Sequence, residues 1–200
     1  MFFAAALLAS CVTSATSALA NAVVGEPAPA FTLTDTNGKN VSLADYKGKV
    51  VVLEWSNPGC PFVMKHYRSG NMPALQKKYE KDVVWLTVNS TNSGHPDYLT
   101  GAQLNDFAKK YRAVPARYLL DVEGKVGLAY GARTTPHMYV VDASGKLAYM
   151  GAIDDIPSAS ESDVKAAKNF VAAAIDEIKA DKTVSNTTTN PYGCSVKYKH

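Results

Sequence analysis

Cysteine is scarce in this chain: three among 200 residues, at positions 11, 60 and 194. That excludes a small disulfide-dense scaffold, and a chain of this length buries enough surface to fold without such staples. Histidine is almost as sparse. His66, His95, His137 and His200 show no ligand spacing, and with so few thiols neither a metal nor any other cofactor is implied. An excess of one charge is missing too: 21 Lys and Arg face 18 Asp and Glu, a formal net charge of +3, with no basic block. Nucleic acid is therefore not an implied partner. No apolar run reaches the ~18–20 residues that span a bilayer, so no membrane span is expected. There is no internal repeat. What remains, 46% hydrophobic and 20% charged residues, suits a folded globular domain rather than a disordered chain.

Residues 1–20 carry no charge. An apolar run from Phe2 to Ala9 gives way to Ser, Thr and Ala, and Ala18-Leu19-Ala20 offers a small-residue cleavage site before Asn21. The pattern predicts a secretory signal peptide over 1–20, lacking the usual positive n-region, and an exported, periplasmic protein. A second reading stays open. Leu8-Ala9-Ser10-Cys11 is similar to a lipobox, which would make Cys11 a lipid-anchored N-terminus. Cleavage after Ala20 removes Cys11 and leaves Cys60 and Cys194. An even pair in an exported chain suggests that the two meet as a disulfide, the alternative being two unrelated thiols.

The rest divides into a domain over 23–180 and a polar tail over 181–200 that carries Cys194. Asn37-Gly38 between Phe31–Thr34 and Val41–Leu43 is a hairpin signal. Lys49–Trp55 reads as a central buried strand. Glu54, inside it, is expected on a polar face, with burial as a proton acceptor near Cys60 as the alternative. A helical stretch follows Cys60, is interrupted near Ser69-Gly70 and resumes through Pro73–Tyr79. Val83–Val88 is a second strand. Thr100 and Gln103 form a capping box ahead of a helix. Arg117–Asp121 is a third strand, followed by a short helix over about 123–130. Met138–Val141 and Leu147–Met150 flank Asp142–Gly145 as a second hairpin, and a last amphipathic helix is expected over about 163–180. Strands that alternate with helices and close on a hairpin describe an α/β protein with a mixed sheet.

Cys60 falls where the strongest strand ends and a helix begins. Pro61 suits the first helical position, which makes Cys60 the N-cap. The helix dipole there favours a thiolate, and thiolate is the reactive form. Lys65, His66 and Arg68 follow closely, although spacing does not say whether they face Cys60. The competing reading is an inert buried cysteine.

Three features carry a resemblance. Trp55-Ser-Asn-Pro-Gly-Cys60-Pro61 ends the strand, Thr135-Pro136 precedes a Val-Val-Asp-x-x-Gly hairpin, and an amphipathic helix comes last. In these the chain resembles the thioredoxin-like superfamily. Val24-Gly-Glu-Pro-Ala-Pro-Ala-Phe31 and the ending Pro191-Tyr-Gly-Cys194-Ser-Val-Lys-Tyr198 are similar to exported bacterial redoxin-domain proteins of the peroxiredoxin-like branch (alkyl hydroperoxide reductase/thiol-specific antioxidant). The resemblance implies a thioredoxin-like fold, a mixed sheet flanked by helices with an N-terminal β-hairpin extension. It also implies a cis peptide bond before Pro136, opposite Cys60, with the Thr135 backbone free to pair with an extended substrate. His137 is read as structural.

The chain departs from the pattern at informative places. Asn57 and Val63 stand where a Cys-x-x-Cys motif would need a partner for Cys60. Leu53 and Asn57 replace the Pro and Thr of the peroxidatic motif, and Pro136 stands near the position of the usual Arg. Asn57 is a candidate to hydrogen-bond near the sulfur, and Arg117 and Arg133 are candidate replacements for the Arg. The implied catalytic residues are Cys60 and Cys194, with Asn57, Pro61, Thr135 and Pro136 in substrate binding. The implied activity is that of an exported thiol-dependent oxidoreductase. Cys60 attacks a peroxide or a protein or small-molecule disulfide, Cys194 resolves the intermediate from a flexible tail, and an unidentified thiol supplies the electrons. A non-catalytic binding module stapled by a Cys60–Cys194 disulfide is the alternative.

Overall fold

The computed structural model describes residues 21–199. The signal-peptide and lipobox readings, Cys11 included, lie outside the described residues. Asp35 shapes the first hairpin, between β1 (Thr32–Asp35) and β2 (Asn40–Ser42). Its Oδ1 accepts from the backbone N–H groups of Asn37 and Lys39, both at 2.9 Å, around Gly38 at φ 79°. Then follow β3 (Val50–Trp55), α1 (Pro61–Arg68), α2 (Asn71–Tyr79), β4 (Val83–Asn89), α3 (Gly101–Lys110), β5 (Arg117–Leu120) and α4 (Lys125–Tyr130). The chain continues through β6 (Thr134–Thr135), β7 (His137–Val141), β8 (Leu147–Gly151), α5 (Phe170–Lys179) and β9 (Cys194–Ser195). The main sheet runs β2-β1-β5-β4-β3-β7-β8. Strands β3, β4 and β5 are parallel and the outer pairings are antiparallel. This is the mixed, helix-flanked sheet with a hairpin extension that the sequence predicts, and the fold is thioredoxin-like.

Strand β3 is buried along its whole length, and its period-two alternation divides the core. Val50 and Val52 face the layer of α1, α2 and α5, with Val63, Tyr67, Met72 and Ile175. Val51, Leu53 and Trp55 face the other layer, with Phe31, Tyr130 and Tyr139. Glu54 shares its parity with Val52, so the polar face expected for it does not exist. It is fully buried, and four side chains donate to it: Tyr67 Oη at 2.8 Å, Trp85 Nε1 at 2.8 Å, Thr87 Oγ1 at 3.2 Å and Gln76 Nε2 at 3.4 Å. A buried carboxylate is tolerated when its lone pairs are occupied in this way. Burial nevertheless raises its pKa, and the bonds from Trp85, Tyr67 and Thr87 only partly oppose that rise.

Two other expectations are corrected. The predicted last helix is split. Residues Glu161–Lys165 form a 3-10 turn, and α5 starts afresh at the N-cap Asn169, whose side chain accepts from Ala172 N at 2.8 Å. The Phe170 N–H donates to Ile153 O, so the chain is tied to the segment after β8 before the helix begins. The tail, expected to be flexible, is docked along much of its length. Thr189 Oγ1 accepts from Ala152 N at 2.9 Å, Asn92 Nδ2 donates to Lys197 O at 2.9 Å and Tyr198 Oη donates to Ala132 O at 2.7 Å. A Cβ at Gly127 would stand 2.4 Å from Tyr198 Oη, so that glycine makes room for the tail.

Burial raises the pKa of Glu54 on folding, so between the ordinary value and the raised one the native state binds the proton more tightly than the unfolded chain does. Its contribution therefore falls as pH rises through the raised value and recovers on acidification toward the ordinary value of about 4.3. In urea unfolding, the stability difference between wild type and Glu54→Gln is expected to shift in favour of wild type from pH 7 to pH 5. Glu54→Leu orphans the Trp85, Tyr67 and Thr87 donors and is expected to lose roughly 3–5 kcal/mol. A pH-independent difference would mean that Glu54 keeps one protonation state throughout folding.

Candidate active site

Trp55 ends β3, and the next residues turn tightly into α1. Asn57 builds that turn: its Oδ1 accepts from Gly59 N at 2.7 Å and its carbonyl accepts from Cys60 N at 3.0 Å. Its Nδ2 reaches Asp97 Oδ2 at 3.5 Å. The side chain expected to hydrogen-bond near the sulfur is thus engaged by the turn and by Asp97. A Cβ at Gly59 would come within 2.8 Å of Asp97 Cγ, so the loop carrying Asp97 packs directly on the turn.

Cys60 is the N-cap of α1 and Pro61 its first residue, as the sequence predicts. The sulfur does not cap the helix. Cys60 Sγ donates to the carbonyl oxygen of Thr135 at 3.0 Å. The Thr135-Pro136 bond is cis, again as expected. Only 1% of Cys60 is exposed, whereas Pro61 beside it faces solvent.

The enclosure comes partly from the tail. Strand β9 lies antiparallel to β6, pairing Cys194 with Thr135 and Ser195 with Thr134. The Val196 N–H extends the pairing to Arg133 O at 3.0 Å. The backbone edge predicted for an extended substrate therefore holds a segment of the same chain. Cys194 packs on the cluster that includes Cys60, and both are free thiols. Burial pushes the Cys194 thiol up to about 12, and the neighbouring Cys60 sulfur adds to the rise. Lys197 opposes this rise and Asp97 adds to it. Gly193 has φ 140°, and a Cβ there would stand 2.1 Å from Thr135 O, so only glycine lets the tail lie this close.

The basic residues after Cys60 do not gather at its sulfur. Lys65 and His66 point into a buried cluster with Asp154 and Tyr192, and Arg68 lines a surface groove with Pro58, Met64 and Phe107. Arg117 stands at the start of β5, two strands away from β3, with its guanidinium 3.5 Å from Asp35. Arg133 lines a cavity with His137 and Pro191. Buried His137 is pushed down to about 3, by burial first and by Arg133 second; its Nδ1 meets Arg133 N at 3.3 Å and Tyr139 Oη at 3.1 Å, a structural role. Sequence reasoning missed Asp97, Asp154 and Tyr192. Pro191 and Gly193 around Tyr192 were the available signal of a shaped segment, whereas nothing local marks Asp154.

The Redoxin family model matches residues 23–168. Thiol-disulfide oxidoreductase ResA of Bacillus thuringiensis subsp. konkukian is 27% identical over 128 residues, covering 62% of this chain and 66% of the relative. The chain thus spans just under two thirds of that relative's length. The chloroplastic peroxiredoxin Q of Suaeda salsa is 31% identical over 152 residues, covering 62% of this chain and 67% of the relative. An uncharacterized conserved protein from Geobacillus kaustophilus superposes with a TM-score of 0.74 at 27% identity, covering 88% of this chain and 93% of that one.

Gly193→Ala is expected to lift the tail from Thr135. Backbone strain of this kind costs roughly 1–3 kcal/mol, enough to speed Cys60 alkylation by iodoacetamide about tenfold. Peptide mass mapping of the native protein reads that rate. An unchanged rate would mean that the tail does not control access to Cys60.

Proposed function

Because the chain belongs to the Redoxin family, we propose that it is a thiol–disulfide oxidoreductase in which Cys60 is the nucleophile and Cys194 the resolving thiol. The observation that carries this reading is the antiparallel pairing of Cys194 with Thr135, whose carbonyl also accepts from the Cys60 sulfur. A cysteine on an extended strand is thereby presented to Cys60, the pose a cysteine-bearing substrate would take on the same edge. Thr135 and Pro136 are assigned to that docking edge and Pro61 to its exposed rim. Asn57 is assigned to shaping the turn. Peroxide reduction uses the same two thiols, and the peroxiredoxin Q relative favours it. Against it stands the engagement of Arg117 with Asp35 and the placement of Arg133 beside His137, with no hydrogen bond from either to the Cys60 sulfur among the described residues.

Each turnover moves two electrons. The Cys60 thiolate attacks one sulfur of the substrate disulfide, forming a mixed disulfide and releasing the other half as a thiolate. Cys194 loses its proton and attacks the Cys60 sulfur, which closes Cys60–Cys194 and releases the second half. The geometry supports this order. Cys194 pairs opposite Thr135, whose carbonyl accepts from Cys60 Sγ, so the docked tail brings the second sulfur to the first. An external thiol then restores the dithiol form. The leader pattern over 1–20 supports export, and domain boundaries at 23 and 180 fit the same reading.

The test exposes reduced protein separately to oxidised glutathione and to equimolar hydrogen peroxide, with acid quenching and intact mass. Wild type is expected to form Cys60–Cys194 with glutathione disulfide. Cys194→Ser should stop at the Cys60 mixed disulfide, and Cys60→Ser should form neither. Reaction with peroxide alone would move the assignment to a peroxidase. Inertness toward both would leave a peptide-binding module. Because Cys194 is held protonated, the resolving step is expected to accelerate about tenfold per pH unit from pH 7 to 8, read by the decay of the mixed disulfide. A pH-independent decay would count against Cys194 as the attacking group.

A further inference from the structure

Beneath the tail lies a set of polar groups that the chemistry above does not use. Lys65, His66 and Asp154 are each 2% exposed or less. Lys65 Nζ stands 3.5 Å from Asp154 Oδ2 and donates to Ile156 O at 2.9 Å. Asp154 Oδ1 accepts from Ile156 N at 3.1 Å and from the hydroxyl of Tyr192. That hydroxyl also lies 3.4 Å from His66 Nε2 and 3.5 Å from Lys65 Nζ. His66 approaches Asp154 at 3.9 Å, but burial pushes it down to about 4, so it is neutral near pH 7 and the contact is not an ion pair. The ring of Tyr192 packs edge-on against Phe62.

We infer that Tyr192 is a positioning residue: clamped by the buried Lys65–Asp154 pair, its hydroxyl seats Cys194 against Cys60 for the resolving step. The inference rests on the reading of Cys194 as the resolving thiol. Lys65, His66 and Phe62 all belong to α1, the helix whose N-cap is Cys60. One rigid element therefore fixes both sulfurs, Cys60 directly and Cys194 through Tyr192, two residues upstream. Gly193 between them lies against Thr135 with no room for a side chain. Cys194 is thus held from upstream by the Tyr192 clamp and at its own backbone by Thr135. A buried Lys–Asp pair seldom stabilises a fold over an apolar replacement, whereas it does fix the orientation of a hydroxyl bound to it. A hydroxyl bound to a charged group holds such a partner by a factor of about ten or more.

The experiment compares wild type with Tyr192→Phe, which removes the hydroxyl and keeps the ring. Both full chains, reduced, are mixed with oxidised glutathione and quenched by acid over a time course. Cys60 takes one glutathione as a mixed disulfide and releases the other. Cys194 gives up its proton, displaces the second glutathione and closes the protein disulfide, so the two protein thiols are oxidised and glutathione disulfide is reduced. Tyr192→Phe is expected to form the mixed disulfide at least as fast as wild type and to resolve it about tenfold more slowly, so that this species accumulates. The glutathione ratio that half-oxidises the pair should shift by the same factor. A general loss of structure would slow neither step selectively, and the thermal midpoint checks for it. Equal resolving rates in the two proteins would overturn the role of Tyr192 while leaving Cys194 as the resolving thiol. A wild type that never closes Cys60–Cys194 would overturn both.

Discussion

The backbone of Thr135 joins the two sulfurs. Its carbonyl accepts from Cys60 Sγ, and its strand position pairs with Cys194. No side chain of Thr135 takes part, so the arrangement depends on where the sheet puts this stretch of chain. Strand β7 pairs with β3 in the register Trp55 with His137, and the two residues before His137 therefore reach past the end of β3 to the turn that carries Cys60. A slip of one residue would send every β7 side chain to the other face and carry Thr135 away from the sulfur. Buried pairs from Val51–Val141 to Trp55–His137, most of them apolar, hold that register.

Helix α1 turns this register into a site. Its first turn follows Cys60, and its later residues reach in two directions. Tyr67 donates to Glu54 in the floor of the core, while Lys65 and His66 meet Asp154 and Tyr192 under the tail. The polar groups of a helix this short are tied at both levels of the protein. That leaves little freedom for the helix to shift without breaking a buried hydrogen bond, each of which is expensive to leave unmade. The position of Cys60 is thus set by polar anchoring further along α1 as well as by the Asn57 turn before it.

Most of the scaffold was legible because it follows from local chemistry. Asn37-Gly38, the Thr100–Gln103 capping box, Pro61 after Cys60 and the apolar β3 each state their structure within a few residues. Glu54 was misread because an isolated acid in a strand usually marks a solvent face, whereas here donors from α1, α2 and β4 converge on it from up to 33 positions away. The split before α5 was invisible because helical periodicity continues through it, and what ends the helix is a backbone bond to Ile153. The tail was misjudged for a related reason. Its Thr and Asn residues read as solvated, but Thr189, Tyr192 and Tyr198 find their partners far away in sequence. Spacing could pick out Cys60 and Cys194, but only their shared neighbour Thr135 brings them together.

The segment that brings Cys194 to Cys60 also covers it, and it does so on the backbone edge that an extended substrate would use. Under the proposed chemistry, substrate and resolving thiol compete for Thr135. The tail must leave that edge before the first exchange and return for the second. Opening need not involve the sheet, because β9 adds only two residues of pairing and lies outside the central core. A short pairing at the edge of the fold opens locally at a fraction of the global unfolding free energy. The affinity of the tail for the edge then acts in opposite senses on the two steps: tighter docking delays entry of the substrate disulfide and raises the effective concentration of Cys194 once the mixed disulfide exists. A tail fixed by a fully apolar anchor would favour the second step alone. An anchor built from a hydroxyl, a carboxylate and an ammonium group can be released to water with its hydrogen bonds exchanged rather than lost, which keeps both steps within reach of the same segment.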